Sequence, residues 1–261
     1  MPPVDDYDVA KYRFERRVDG DYLRIRVGGH SVDAKAIKLE AASVNDVDSL
    51  VRLVIKNLHY ARIALSDSDA AEAILRIDTR PTPPNIFELI YSDDKFGDDL
   101  QAARQSASSR IFIYAENYVR AIAASAMALS KVIKIVVIPE FESEANRYIQ
   151  WTGTAKMIRD SIEHREERTV RRGMVKGKIR EFTPGPLDPA HTGPLVSVPV
   201  DLPILSIGNM FGGKYHMTSA TGENIAIPIS REHLREAVAM VESALSRLPW
   251  PSWPGPTVHF I

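Results

Sequence analysis

The chain has 261 residues, of which 44% are hydrophobic and 26% are charged, so it can bury a full core and is neither a fibre nor disordered throughout. Its 33 basic and 34 acidic residues leave a net charge of −1, which excludes a global attraction to nucleic acid or to anionic membranes. The absence of cysteine excludes disulfides, zinc–thiolate sites, iron–sulfur clusters and cysteine nucleophiles. Residues 1–17 lack an apolar leader, and the longest uncharged stretch is too short to span a bilayer, so we expect a cytoplasmic protein without a membrane partner.

The N-terminal part of the chain is predicted to form a β-hairpin. Apolar and charged side chains alternate over residues 12–18 and again over residues 23–27, on either side of the strong turn signal Asp19-Gly20. We expect the chain to continue from the Gly28-Gly29 pair into a helical region.

Helical periodicity follows. Apolar residues recur every three or four positions from Val47 to Leu65, behind the cap candidates Ser43 and Asn45, and predict a first helix. The polar cluster at residues 66–68 predicts that a second, shorter helix begins there and runs to about residue 77.

The longest predicted element starts near Asp98 and keeps one apolar stripe as far as Pro139. Its small side chains from Ala121 to Ala128 predict a central position, where a neighbouring helix can approach closely. The β-branched run Val132–Ile138 is compatible with a helix or with a buried strand, and we favour the helix. Pro139 and the two glutamates that follow it predict the start of a further helix, which continues to about Ile162.

The C-terminal part combines a proline-rich connection with a small lobe. Six prolines between residues 184 and 203 predict an extended connection. Two alternating segments around Thr221-Gly222 predict a hairpin, and a helix is predicted over Ser230–Leu248. The apolar residues of that helix form a seam that packs either within the chain or between two chains.

These elements predict an α+β protein made of three regions. Residues 1–42 form an N-terminal β-hairpin region, and residues 43–180 form a mainly helical bundle. Residues 181–261 hold the proline-rich connection, a β-hairpin, the C-terminal helix and a tail rich in proline and tryptophan.

Two common kinds of site are not supported by the sequence. Gly208 to Lys214 match a phosphate-binding loop, but Tyr215 replaces the magnesium-binding serine or threonine, and a hairpin pattern follows where a helix is required. The seven histidines show no pair at the spacing of a helical zinc site, and no serine lies in a Gly-x-Ser-x-Gly elbow. We therefore expect no metal and no cofactor.

One short motif stands at the end of the helix that starts at Pro139. It reads Arg159-Asp160-Ser161-Ile162-Glu163-His164. It resembles the signature of the HEPN superfamily of helical-bundle ribonucleases and their noncatalytic relatives, in which arginine is followed by asparagine, aspartate or histidine, three further residues and histidine. The resemblance covers at most residues 43–172, about half of the chain. It implies a metal-independent endoribonuclease with Arg159, Asp160 and His164 in the catalytic site.

The residue types of the motif suit RNA cleavage without metal. His164 can titrate near neutral pH and exchange a proton with a 2′-hydroxyl, and Arg159 can hold a phosphate by two hydrogen bonds. Asp160 precedes His164 by four residues and, on one helical face, is placed to orient the imidazole. Arg159 and His164 are five residues apart, about 140° around an ideal helix, so a single motif presents them awkwardly.

The motif also suggests partners. The HEPN resemblance implies two motifs paired across a dimer, and since the chain holds one copy, we expect a homodimer or a complex with another protein. A defence or toxin system is implied by the resemblance alone. A basic segment follows His164 and is expected to bind the RNA backbone through Arg165, Arg168, Arg171, Arg172, Lys176 and Lys178. The alternative is a noncatalytic helical interaction module, in which Asp160 and His164 form only a surface pair.

Overall fold

The computed structural model describes residues 24–27, 30–33, 41–75, 95–169, 172–175, 178–185 and 205–248. These residues are mostly helical with short antiparallel strands, which confirms the α+β class. The elements are β1 (Arg24–Val27), β2 (His30–Asp33), α1 (Ala41–Leu75), α2 (Lys95–Ile135), α3 (Pro139–Trp151), α4 (Gly153–Glu163), α5 (Arg165–Thr169), β3 (Arg172–Val175), β4 (Lys178–Glu181), β5 (Ile207–Phe211), β6 (Lys214–Thr218), β7 (Asn224–Pro228) and α6 (Arg231–Ser246). In this part of the chain, no helix is both long and apolar enough to cross a membrane.

Two long helices, α1 and α2, pack along each other and form the centre of the fold. The apolar stripe of α1 is buried as the periodicity predicts, at Val47, Val51, Val54, Leu58, Ala61 and Leu65. The small residues of α2 lie opposite in the same core, which confirms their predicted central position; Ala121, Ala123, Ser125, Ala126 and Ala128 are all buried. Small side chains permit this close approach because they occupy little space between the two helix backbones.

The expected break after Leu65 is wrong, because α1 continues without interruption to Leu75. Ser68 is buried in the middle of the helix and does not cap a new one. Ala71, one turn further on, is also buried and packs with Ala107 and Ile111 of α2. Burial of this side of the helix therefore outweighs the local cap signal, which is only a weak preference.

The helix favoured for the end of the long apolar stripe is confirmed as far as Ile135, after which residues 136–138 carry the chain into α3. Pro139 begins α3 as predicted, with Glu140 and Glu142 in its first turn.

The single helix expected from Pro139 to about Ile162 is divided in two. α3 ends at Trp151, and α4 begins at Gly153. Thr152 lies between them with φ −80° and ψ 5°, and its hydroxyl donates a hydrogen bond to the carbonyl of Ile149 at 2.9 Å. Glycine has a low helix propensity, and a threonine hydroxyl that bonds to a carbonyl of its own helix tends to bend that helix. The helix is therefore least stable at Thr152 and Gly153.

Within the described residues the strands form three small antiparallel sheets, each of which differs in part from the sequence prediction. β1 pairs with β2 from Val27↔His30 to Arg24↔Asp33, so a second strand follows β1 where the sequence led us to expect a helical region, and that expectation is wrong. Gly28 and Gly29 themselves lie outside the described residues. The predicted turn at Asp19-Gly20 and the strand over residues 12–18 lie outside the described residues. The basic segment after His164 contains α5 and the β3–β4 hairpin, which the sequence did not indicate.

The C-terminal lobe contains the predicted hairpin and one additional strand. β6 and β7 pair on either side of Thr221-Gly222, as expected. β5 pairs with the other edge of β6 through the two-residue turn Gly212-Gly213, whose φ angles are +55° and +71°. Two positive φ angles in succession are typical of a tight hairpin turn, so the phosphate-loop pattern is part of a sheet.

The seam of α6 packs within the chain. Leu234, Val238, Val241 and Leu245 are buried in the same hydrophobic core as α1 and α2, and α6 lies mainly against α3. This settles the alternative that the sequence left open for these residues, because side chains buried within one subunit cannot also form a contact between two.

A half-buried histidine joins α6 to the bundle. Nδ1 of His233 lies 2.7 Å from the hydroxyl of Tyr118, and its ring stacks on Trp151 at a centroid distance of 4.4 Å. Ser230 caps α6 by accepting the backbone N–H of His233 at 3.2 Å. Burial lowers the pKa of His233 to about 4, so the imidazole is neutral in the folded protein at neutral pH.

We predict that His233 makes stability depend on pH. An exposed histidine titrates near 6.5, so between pH 6.5 and about 4 the unfolded chain binds a proton that the folded chain excludes. The free energy of unfolding should therefore be highest above pH 6.5 and fall as the pH falls towards 4. Thermal melts should show the melting temperature dropping by a few degrees between pH 7 and pH 5. His233→Gln should be less stable at pH 7 and have a flatter profile; an equal slope in both proteins would contradict this role.

Candidate functional site

The motif lies on the outer side of α4. Ala155, Ile158, Ser161 and Ile162 are buried and turn one side of this helix towards α2 and the strands β6 and β7. Asp160 and Glu163 lie on the opposite side of the helix, with side chains 43% and 46% exposed, whereas Arg159 lies at the flank of the buried stripe. Burial of the apolar stripe thus places the two carboxylates of the motif at the surface.

Arg159 is held between two carboxylates. Its Nε donates to Oδ1 of Asp160 at 3.0 Å, and its Nη2 donates to the same oxygen. Oε1 of Glu163, one turn further along α4, lies 3.6 Å from Nε. The side chain of Arg159 is only 15% exposed and also contacts the sulfur of Met127 on α2. The guanidinium is therefore fixed in direction, and its positive charge is balanced within the subunit.

His164 ends α4. Its φ of −111° and ψ of 34° are not helical, and its backbone N–H donates to the carbonyl of Asp160 at 3.1 Å. The side chain is exposed. Because the helix stops at Glu163, the angle of about 140° expected on an ideal helix does not apply to His164. Asp160 forms an ion pair with Arg159, a contact that the sequence did not suggest. Its expected role in orienting His164 stays a prediction.

The six residues expected to bind RNA are distributed over several elements. Arg165 and Arg168 belong to α5, Arg172 to β3 and Lys178 to β4. Arg171 and Lys176 lie outside the described residues. Arg172 has a side chain that is 56% exposed, with Nη2 at 3.9 Å from Oε1 of Glu181 across the β3–β4 hairpin.

Arg165 has contacts that distinguish it from a basic residue free in solvent. Its Nη2 donates to Oε1 of Glu116 on α2, and it lies 3.4 Å from the hydroxyl of Tyr215 on β6. The hydroxyl of Tyr215 donates to the same oxygen of Glu116 at 2.9 Å. Burial and the neighbouring carboxylate of Glu116 raise the pKa of Tyr215, which keeps its phenol protonated.

Gly208 of β5 completes this cluster. It has a φ of +112°, and a Cβ atom at this position would overlap the hydroxyl of Tyr215. The sequence offered no signal for Glu116, and Tyr215 attracted notice only as a departure from the phosphate-loop pattern. Periodicity cannot detect such a cluster, because its members are polar and far apart in the chain.

No group of three histidine, aspartate or glutamate side chains is arranged to hold a metal ion within the described ranges. No protein-family model, curated protein or solved structure matches this chain. The likeness to the HEPN signature therefore rests on residues 159–164 and on their place at the end of a helix in a mainly helical fold.

We predict that Gly208→Ala destabilises the fold by about 2–4 kcal/mol, since it combines an unfavourable φ with overlap on a buried tyrosine. Gly212→Ala is the matched control, because Gly212 has a φ of +55° and no atom within 4 Å of an added Cβ. Its cost should be about 1 kcal/mol. Urea unfolding of both variants measures the difference; equal losses would show that Gly208 does not need to be glycine for this contact.

Proposed function

We propose that the chain is a metal-independent endoribonuclease of the HEPN type that acts as a homodimer. The observation that carries the proposal is the arrangement of α4, which holds Arg159 in a fixed direction between its own carboxylates and Met127 of α2 and presents the exposed His164 at its end. A fixed guanidinium and an accessible imidazole are the two groups that RNA cleavage without metal requires.

In the proposed reaction, His164 takes the proton from a 2′-hydroxyl, and the 2′-oxygen attacks the adjacent phosphorus. Arg159 stabilises the negative charge that develops on the phosphorane oxygens. The 5′-oxygen then leaves and takes a proton from the acid, for which a second His164 across the dimer is available. The products are a 2′,3′-cyclic phosphate and a 5′-hydroxyl.

Apolar side chains beside the motif support a contact between two copies. Met127 is 40% exposed and Met157 is 43% exposed, on the two helices that hold Arg159. Large exposed apolar side chains next to a polar cluster are typical of an interaction surface. A dimer formed there would bring two Arg159 and two His164 residues to one cleft.

We predict that the purified protein cleaves single-stranded RNA in the presence of EDTA and leaves 2′,3′-cyclic phosphate ends. His164→Ala should reduce the cleavage rate at least about 100-fold, because the proton-transfer group is lost. Gel assays with end-group analysis measure this. The control is Lys156→Ala, which changes an exposed residue of α4 and should leave the cleavage rate at the wild-type value. His216→Ala is unsuitable because His216 is buried. Cleavage by His164→Ala at the wild-type rate would refute the proposal.

We also predict that Asp160→Asn increases the affinity for RNA by about two- to tenfold, because it removes one of the two carboxylates that balance Arg159. Fluorescence anisotropy with a labelled oligonucleotide at low salt measures the dissociation constant. Glu140→Gln makes the same change of charge at an exposed position in the first turn of α3 and serves as the control. An equal gain in both variants would assign the effect to net charge rather than to Arg159.

The second candidate is a noncatalytic interaction module, and the balanced charge of Arg159 favours it. In this case Arg159 and its carboxylates are a surface network, and the exposed methionines are the contact with a partner. Met157→Asp should then reduce the molecular mass measured by light scattering. Neither the wild type nor His164→Ala should cleave RNA.

A further inference from the structure

The residue that follows His164 is anchored to two distant parts of the fold. Arg165 is the first residue of α5, and its guanidinium reaches Glu116 in the middle of α2 and Tyr215 on β6. Glu116 accepts hydrogen bonds from both partners through the same oxygen, the one from Tyr215 at 2.9 Å. The three side chains form a closed set of contacts, which we name the Glu116 clamp.

The clamp extends from the core to the surface. Tyr215 is fully buried, the side chain of Glu116 is 20% exposed, and that of Arg165 is 40% exposed. Gly208 leaves room for the phenol, since any larger residue would overlap its oxygen. Hydrogen bonds between charged groups in such surroundings are stronger and more directional than exposed ion pairs.

The clamp acts at the junction between two helices. α4 ends at Glu163, and His164 has non-helical dihedral angles before α5 begins. The backbone of His164 is bound on the upstream side by the carbonyl of Asp160 at 3.1 Å. On the downstream side, the next residue, Arg165, is held by the clamp. The peptide that carries His164 is thus bound to α4 on one side and followed on the other by a residue that is bound to α2 and β6.

We propose that Glu116 and Tyr215 are positioning residues, which hold Arg165 and thereby fix the place of His164 in the site. This inference rests on the proposed function as far as catalysis is concerned. It gives Arg165 a different role from the one expected from the basic segment, because its Nη2 is used by Glu116 and Tyr215. It also gives the C-terminal sheet a role in the site, through Tyr215 of β6.

The experiment compares Glu116→Gln and Tyr215→Phe with the wild type. Both substitutions keep the size of the side chain, and each removes one member of the clamp. Asp69→Asn is the matched control, because it removes a carboxylate from another long-range ion pair, with Arg231 at 2.9 Å, which connects α1 to α6. Thermal melts establish that each variant is folded.

Two readouts separate positioning from a merely structural role. RNA cleavage gives kcat and KM, and the imidazole resonances in a proton–carbon correlation spectrum report the surroundings of His164, assigned with His164→Ala. We expect Glu116→Gln to lower kcat about 10- to 100-fold with KM changed less than about threefold, since misplaced reacting groups slow the chemical step. We expect Tyr215→Phe to lower kcat less. Both should shift the resonances of His164, and Asp69→Asn should change neither readout.

The outcomes are distinct. If the wild type cleaves no RNA, the proposed function fails, and the His164 resonances alone decide whether the clamp positions this residue. If Glu116→Gln does not fold, Tyr215→Phe decides the matter, because it removes only one hydroxyl. Resonances of His164 that stay at their wild-type positions in the folded variants would overturn the inference.

Discussion

Helix α2 is the element on which the remaining contacts depend. Its small side chains allow α1 to pack closely against one side, and the larger residues on its other sides then reach the rest of the fold. Glu116 holds Arg165, Tyr118 holds His233 of the C-terminal helix, and Met127 contacts Arg159. One helix therefore positions both the candidate site and the anchor of the C-terminal lobe. A change that shifts α2 in the bundle core would displace both of them.

The sequence predicted the long helices well because each buries one regular stripe of apolar residues, and such a stripe is visible as a period of three to four. It failed where packing and local signals disagree. Ser68 resembles a cap but is buried in an uninterrupted helix, whereas Thr152 and Gly153 carry a break that the surrounding periodicity hides. β1 pairs with β2, where a helical region was expected, because the partner of a strand is decided by packing and not by the local pattern.

The site was predictable in part for the same reason. Arg159, Asp160 and His164 are close in the chain, so a motif can be read from them directly. The partners of Arg165 are 49 and 50 residues away in the sequence, and Glu116 and Tyr215 are separated by 99. No local pattern links polar residues over such distances, since their meeting is decided by how α2, α5 and β6 pack.

The electrostatics of Arg159 explain why a single subunit is a poor phosphate site. A unit charge at 4 Å contributes about 4 kcal/mol at an effective dielectric constant near 20, and a phosphodiester carries the same single charge as a carboxylate. If a phosphate replaces Asp160 or Glu163 as the partner of one Arg159, the electrostatic energy of that guanidinium therefore does not improve. A phosphate bound between two Arg159 residues is different, because the second guanidinium adds donors and attraction that one subunit lacks. On this argument the proposed cleavage needs a dimer for reasons of charge, and a chain that stays monomeric would keep Arg159 as part of a surface network.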